Sequence, residues 1–212
     1  MNSSRFYLER FVRRASQSVP PGSRVLDAGA GDAQYRELFA QHQYESADFQ
    51  QVDKPYHDNT YVCDLAKIPV ESSRYDLVLM TQVLEHLPEP FDVLRELRRV
   101  LRPDGTLYLS CPLYFEEHEK PYDFYRFTTY GLRHLLGKAG FHVVEIAWLE
   151  GYLGTISHQL KVASWASPRG LRFLVHKASE LLAHADTRYK VVGRGHPINY
   201  TAVAKAVSAV RE

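Results

Sequence analysis

The chain has 212 residues, of which 45% are apolar and 24% are charged, and its formal net charge is +1. This composition predicts an α/β domain with a sizeable buried core. The near-neutral charge excludes a global field that would gather nucleic acid or an anionic membrane, and no run approaches the roughly 20 apolar residues of a membrane span.

The first twenty residues are predicted to form a helix that ends at the Pro-Pro-Gly sequence of residues 20–22. Its apolar positions recur at helical spacing: Leu8, Phe11, Val12 and Ala15. Charged residues interrupt them, so the segment lacks the apolar core of a signal peptide, and we expect a cytoplasmic protein. Both cysteines lie in apolar, strand-like runs and are expected to be buried thiols rather than a disulfide.

Short apolar runs alternate with helical patterns along the rest of the chain. Strands are predicted at 25–28, 44–47, 61–63, 76–81, 106–111, 143–149 and 200–204. Helices are predicted at about 33–43, from Pro90 to about 101 and at 132–139, and residues 102–105 form a turn signal. This alternation predicts a doubly wound, seven-stranded, mostly parallel α/β sheet with helices on both faces.

About fifty residues, 151–198, precede the last strand and exceed what the sheet needs. The stripe between Leu171 and Ala185 has a helical period and is expected to be a buried face, and a shorter helix is expected near 156–165. We expect this helical insertion to cover the acceptor site as a lid or to form a homodimer contact. The chain is then a single domain, with an N-terminal helix at 1–20, a core at 24–150, the insertion at 151–198, and a last strand and tail at 199–212.

The end of the first predicted strand carries Asp27, followed by Gly29 and Gly31. Open α/β sheets bind ligands at the carboxyl ends of their strands. Glycine allows a sharp turn and lets a ligand lie against the main chain. A carboxylate this early in the loop favours a ligand with a positively charged amino-acid end over a pyrophosphate.

Five segments in register resemble the motifs of class I S-adenosylmethionine (SAM)-dependent methyltransferases, over about residues 24–150 and again at the last strand. These segments are Asp27–Gly31, Asp48, Cys63–Leu65, Gln82–Leu87 and Leu101–Leu107. The resemblance implies a Rossmann-like methyltransferase fold, with SAM as the cofactor and S-adenosyl-L-homocysteine as its product.

The resemblance also implies which residues contact the cofactor. Asp48 would accept hydrogen bonds from the ribose hydroxyls, Asp64 would accept from the adenine amino group, and Asp27 would help to hold the methionine ammonium. The other expected cofactor contacts are Gly29, Gly31, Phe49, Cys63, Leu65, Gln82 and His86. For His86 the alternative is a partly buried histidine whose hydrogen bonds are satisfied by the protein.

The segment from Pro112 to Thr128 is rich in aromatic residues and begins where the sheet delivers its loops to a ligand. It resembles a segment in one branch of the same family, whose members often act on small molecules or sugar-containing precursors. His118 is the predicted general base, and Asp123 either orients it or pairs with Arg126. The predicted acceptor contacts are Tyr114, Tyr122, Tyr125 and Arg126. The alternative is that Asp123 and Arg126 form a structural pair and Thr128 caps the next helix.

These features predict methyl transfer from SAM to an oxygen, nitrogen or carbon atom of a small molecule, with no nucleic-acid partner. One alternative is an RNA or DNA methyltransferase, for which Cys111 would be a candidate nucleophile. Another is a SAM-binding module that transfers no methyl group, and a nicotinamide reductase is a weaker third. The ten histidines are scattered and form no metal-ligand spacing, so no metal site is expected.

Overall fold

The computed structural model describes residues 2–51 and 56–207. Its strands are β1 (Arg24–Ala28), β2 (Gln43–Asp48), β3 (Tyr61–Val62), β4 (Tyr75–Thr81), β5 (Leu101–Pro112), β6 (Phe141–Trp148) and β7 (Asn199–Ala206). Its α-helices are α1 (Ser3–Gln17), α2 (Pro90–Val100), α3 (Thr129–Lys138), α4 (Tyr152–Ala166) and α5 (Arg169–Arg188).

The seven strands form one sheet in the order β3-β2-β1-β4-β5-β7-β6. The pairs from β3 to β5 are parallel, whereas β7 runs antiparallel to both of its neighbours. The predicted mostly parallel, doubly wound sheet is therefore confirmed. The direction of winding reverses between β1 and β4, which is where open α/β sheets bind ligands.

Strand β4 shows how the sheet divides the core. Val78 and Met80 point to one face and pack with residues of α2 and α3, whereas Leu77 and Leu79 point to the other face and pack with α1. Successive strand residues point to opposite faces, so a strand covered on both sides is apolar throughout. The predicted helices on both faces are therefore present.

The prediction of a helix at about 33–43 is wrong. The structure has turns there, followed by a single 3-10 turn at Arg36–Phe39. Ala33 has a φ of 53°, a left-handed backbone conformation that cannot belong to a right-handed helix. Phe39 is the one buried residue of the 3-10 turn. This short connection therefore packs a single aromatic ring into the core, where a helix would have packed a whole apolar face.

The predicted turn at residues 102–105 lies inside β5, where the pairing of β5 with β4 is irregular. Tyr75 pairs with Leu101 and Leu77 pairs with Thr106, so the residues between Leu101 and Thr106 have few counterparts on β4. Asp104 in this segment has a φ of 61°, as turn chemistry demands.

The insertion forms α4 and α5, which pack mainly on each other and also contact α1. The expectation that the stripe on α5 is buried is wrong in large part, since Leu171, Leu174 and Leu181 are 50%, 62% and 71% exposed. The buried positions of this helix are Ser179, Ala183 and Asp186. Among the described residues, no helix has both the length and the apolar content that crossing a bilayer requires.

Candidate active site

A cleft of about 220 Å³ opens at the carboxyl ends of β1, β2 and β4. Nine of the residues singled out from the sequence line it: Gly29, Gly31, Asp48, Phe49, Asp64, Leu65, Gln82, His86 and Tyr122. These residues come from five separate loops, and the sheet brings them together because parallel strands end at the same edge.

Asp48, at the end of β2, fixes the loops on either side of it. Its Oδ2 accepts a hydrogen bond of 2.8 Å from the Gly31 N–H, and its Oδ1 accepts one of 2.7 Å from the Gln50 N–H. The Gly29 N–H donates to the Ala47 carbonyl at 2.8 Å. The glycine loop after β1 is thus tied to the tip of β2, and the Asp48 carboxylate keeps lone pairs that face the cleft.

Gly29 is required by its position. Its φ is 80°, a conformation that favours glycine, and a Cβ atom there would overlap the methyl groups of Val83. Val83 itself lines the cleft. The close approach of these two loops therefore sets the width of the cleft at its floor.

Asp27 lies below the glycine loop and is 2% exposed. Its Oδ2 accepts a hydrogen bond of 2.7 Å from the Tyr44 hydroxyl. Burial raises the pKa of Asp27 to about 7, and the Tyr44 hydrogen bond opposes this rise. Asp27 lines a second cavity, of about 390 Å³, that shares Gly29, Gly31 and Gln82 with the main cleft, so a group reaching past the glycine loop would meet it.

Asp64 and Cys63 differ in their relation to the cleft. Asp64 lines it, and its Oδ1 accepts a hydrogen bond of 2.8 Å from the Ala66 N–H. Cys63 instead packs against the core, and burial raises the pKa of its thiol. The same cause raises the pKa of the fully buried Cys111 well above its ordinary value, which makes that thiol a poor nucleophile.

The loop after β5 forms the other side of the cleft, where Glu119 and Tyr122 line it. Arg126 donates to both oxygens of Asp123, at 2.6 and 2.8 Å, and its remaining donors reach main-chain carbonyls of the same loop. A guanidinium has five N–H donors, and here all five are used. This arrangement favours the alternative in which Arg126 and Asp123 fix the loop.

Asp123 also contacts the predicted base. Its Oδ2 accepts a hydrogen bond of 2.9 Å from the His118 N–H and lies 3.3 Å from His118 Nδ1. The Arg126 guanidinium holds the pKa of Asp123 well below its usual range. Asp123 therefore pairs with Arg126 and also contacts His118, so the two alternatives do not exclude each other.

His86 and His118 lie side by side, with ring centroids 4.7 Å apart. His86 Nδ1 lies 2.7 Å from the Tyr122 carbonyl oxygen, and burial lowers the pKa of His86. Beside them lies Glu85, which the sequence analysis did not select. Glu85 is fully buried, and burial raises its pKa to about 8. A signal was present in the sequence, because a glutamate amid Val83, Leu84 and Leu87 is a charged group in an apolar run.

Three of the four predicted acceptor contacts, Tyr114, Tyr125 and Arg126, are not among the residues that line the cleft. The Tyr114 ring packs on His196 with centroids 4.5 Å apart, and the Tyr125 hydroxyl donates to the Pro88 carbonyl at 3.0 Å. Both rings are more than 40% exposed. The insertion supports the loop from outside, since His158 Nε2 lies 2.8 Å from Glu116 Oε2. None of the described residues of the insertion lines the cleft.

Thr128 caps α3, as the structural alternative expected, because its side-chain oxygen accepts a hydrogen bond of 3.1 Å from the Gly131 N–H. This cap fixes the point at which the loop after β5 ends and α3 begins.

Residues 1–146 match the methyltransferase-domain family, so the chain belongs to that family. The match covers the sheet from β1 to β5 and most of β6. The insertion lies outside it.

Among curated proteins, the chain is 29% identical over 129 residues to the ubiquinone/menaquinone biosynthesis C-methyltransferase UbiE of Paraburkholderia phymatum, over 53% of each chain. It is 29% identical over 136 residues to an uncharacterized methyltransferase of a Mycobacterium species, over 59% of this chain and 50% of the relative. The chain thus spans about half the length of these curated relatives.

Among solved structures, the fold matches the 1,6-didemethyltoxoflavin-N1-methyltransferase of Burkholderia thailandensis, crystallised with 1,6-didemethyltoxoflavin and S-adenosylhomocysteine. The TM-score is 0.57 at 20% identity, over 94% of this chain and 80% of the other. At this identity the match shows the fold alone.

Proposed function

We propose that this protein transfers a methyl group from SAM to a small-molecule acceptor that binds between the glycine loop and the loop after β5. The observation that carries the proposal is the cleft itself, which joins Gly29, Gly31, Asp48 and Asp64 at the tips of the parallel strands. SAM supplies a methyl group activated on a sulfonium ion.

The charges of the cleft support a cationic ligand. Asp48, Asp64 and Glu119 line it, and among the described lining residues there is no lysine or arginine. Carboxylates that line a concave site attract a cation. Asp48 is placed to accept from a ribose diol, Asp64 from the adenine amino group, and Asp27 to meet an ammonium group beyond the glycine loop.

A small acceptor is supported by the volume of the cleft and by the relatives. Tyr122 and His86 line the cleft together with the glycine loop, and a concave site of this kind can hold an acceptor in line with the leaving group. The similarity to a C-methyltransferase of ubiquinone and menaquinone biosynthesis favours a small molecule, rather than a nucleic acid, as the acceptor. For a hydroxyl acceptor, His118 is the predicted base, held by Asp123.

The test is calorimetric titration of S-adenosylhomocysteine into the full chain, with Asp48→Asn beside it. We expect binding to the unchanged protein and a loss of roughly tenfold to hundredfold in the variant, because hydrogen bonds to a charged acceptor are worth about 1.5–3 kcal/mol. Asp104→Asn is the matched control. Asp104 is exposed in the irregular segment of β5, at the opposite end of the sheet, and asparagine tolerates its positive φ.

Transfer itself is tested with isotopically labelled SAM and a panel of small phenols, amines and sugars. Label in any of them supports the proposal. Absence of S-adenosylhomocysteine binding by folded protein overturns it, and binding without transfer to any acceptor favours the alternative of a binding module.

A further inference from the structure

Three side chains beside the cleft form a cluster that joins two loops, and one of them, His86, lines the cleft. Glu85, His86 and His118 each offer one potential ligand atom, and these atoms lie within 4.8 Å of one another. Glu85 and His86 belong to a 3-10 turn at Leu84–His86 that follows β4, whereas His118 comes from the loop after β5. The fold therefore assembles the cluster from residues 32 positions apart in the chain.

Glu85 is the unusual member of this cluster. It is 0% exposed, and neither of its carboxylate oxygens has a hydrogen-bond partner among the described residues. A buried carboxylate is ordinarily hydrogen-bonded, paired with a charge or bound to a metal ion. Its Oε1 lies 3.8 Å from His86 Nε2, which is too long for a hydrogen bond.

The spacing fits atoms that share an ion. Two ligand atoms that are each about 2.1 Å from a tetrahedral ion lie about 3.4 Å apart. The 3.8 Å between Glu85 and His86 is close to that value, and a second carboxylate oxygen, Oε2 of Glu119, also lies 3.8 Å from His86 Nε2.

The other ring nitrogen of each histidine faces an acceptor. His86 Nδ1 lies 2.7 Å from the Tyr122 carbonyl, and His118 Nδ1 lies 3.2 Å from the Glu116 carbonyl and 3.3 Å from Asp123 Oδ2. A ring nitrogen that faces a carbonyl carries the proton, so the lone pair of the neutral ring is on Nε2. Histidine ligands of metal ions are held in this way by carbonyl and carboxylate groups.

We propose that Glu85, His86 and His118 bind one divalent transition-metal ion beside the acceptor position. Two imidazoles and one carboxylate are a ligand set that suits Zn²⁺ or Fe²⁺. Three protein ligands leave a coordination position open, and the site borders the cleft because His86 lines it. Both histidines are then ligands, in place of the general base predicted for His118.

The role of this ion toward an acceptor rests on the proposed function, whereas its binding does not. The test therefore uses Zn²⁺ alone, titrated calorimetrically into the full chain after chelator treatment and without SAM. We expect one Zn²⁺ per chain. His118→Ala and Glu85→Gln should each weaken binding more than tenfold, since even the loss of an outer partner of a ligand costs roughly 10–100-fold.

His134→Ala is the matched control, because His134 is exposed on α3. It should leave Zn²⁺ affinity unchanged. Replacement of Zn²⁺ by Co²⁺ adds a visible absorption band that reports nitrogen and oxygen coordination, and this band should weaken in His118→Ala. The His118 side chain is 31% exposed, so this variant is expected to fold even if Glu85→Gln does not.

The metal site is overturned if folded protein binds no Zn²⁺, or if His118→Ala binds it as tightly as the unchanged chain. Titration of S-adenosylhomocysteine into the same samples separates the two proposals. Cofactor binding without Zn²⁺ binding removes the metal site alone, and Zn²⁺ binding without cofactor binding removes the proposed function alone.

Discussion

The two walls of the cleft are built in different ways. The cofactor wall, made of Gly29, Gly31, Asp48 and Asp64, follows the ends of parallel strands and is tied by main-chain bonds such as that from Gly29 to Ala47. The acceptor wall, residues 115–126, has no strand or helix. Its side chains hold it, above all Arg126, and its main-chain bonds from Phe124 and Tyr125 reach the Glu85 carbonyl rather than a strand. A wall fixed by sheet register tolerates few backbone changes, whereas a wall fixed by side chains can change with its sequence while the sheet stays the same.

The largest expected effect comes from Gly29→Ala, which breaks the cofactor wall. The new Cβ would overlap Val83, and the φ of 80° is strained for alanine. Strain of about 1–3 kcal/mol, added to the displacement of cleft-lining Val83, should lower the affinity for S-adenosylhomocysteine by about a hundredfold or more. Calorimetric titration measures this loss.

Gly137→Ala is the control for that variant. Gly137 lies in α3, and a Cβ there meets nothing within 4 Å. Affinity should be unchanged, and stability should rise by about 1 kcal/mol or less because alanine is the better helix former. An equal loss of affinity in both variants would contradict the role assigned to the glycine loop.

The next largest effect is expected from Asp123→Ala, which breaks the acceptor wall. The Asp123 side chain is 3% exposed and receives two bonds from Arg126 and one from the His118 N–H. Its loss should lower the free energy of unfolding by about 2 kcal/mol, less than for a fully buried pair because Arg126 is 24% exposed. Chemical unfolding measures the loss, and limited proteolysis should show faster cleavage within residues 115–126.

Glu117→Ala tests the same loop at an exposed pair. Glu117 lies 3.1 Å from Lys120, and both side chains are more than two-thirds exposed. Such pairs are worth about 0–1 kcal/mol. Both variants should bind S-adenosylhomocysteine within a few-fold of the unchanged chain. If Asp123→Ala instead lost cofactor affinity as strongly as Gly29→Ala, the two walls would not be independent.

The same contrast explains how much could be predicted from the sequence. The strands and their tips could be predicted, because apolar runs and the acids that follow them are local signals, and the sheet then places Asp48 and Asp64 together. Glu85 was missed, because it follows β4 and His118 lies in the loop after β5. The contact between them depends on how that loop folds back, which has no local signal in the sequence. The prediction of a helix at 33–43 failed because residues 31–35 form turns, and Ala33 has a left-handed φ of 53° that the apolar pattern does not reveal.

The remaining prediction is a pH dependence that belongs to the cofactor wall. Burial raises the pKa of Asp27 to about 7, the nearby charges of Asp48 and Asp32 add to this rise, and the Tyr44 hydroxyl opposes it. A bound ammonium group favours the ionised form, so below pH 7 a proton has to leave Asp27 when S-adenosylhomocysteine binds. Affinity should therefore rise about tenfold per pH unit from about pH 5 to pH 7 and become constant above it.

Calorimetry in buffers of different ionisation enthalpy should show that one proton is released on binding at pH 6, since the buffer takes it up. Tyr44→Phe removes the hydrogen bond that favours the ionised carboxylate. The pH above which affinity is constant should therefore be higher in this variant. Asp27→Asn should abolish the slope, whereas Asp123→Ala, on the acceptor wall, should keep it. An unchanged slope in Asp27→Asn would assign the proton to another group and remove Asp27 from the ammonium site.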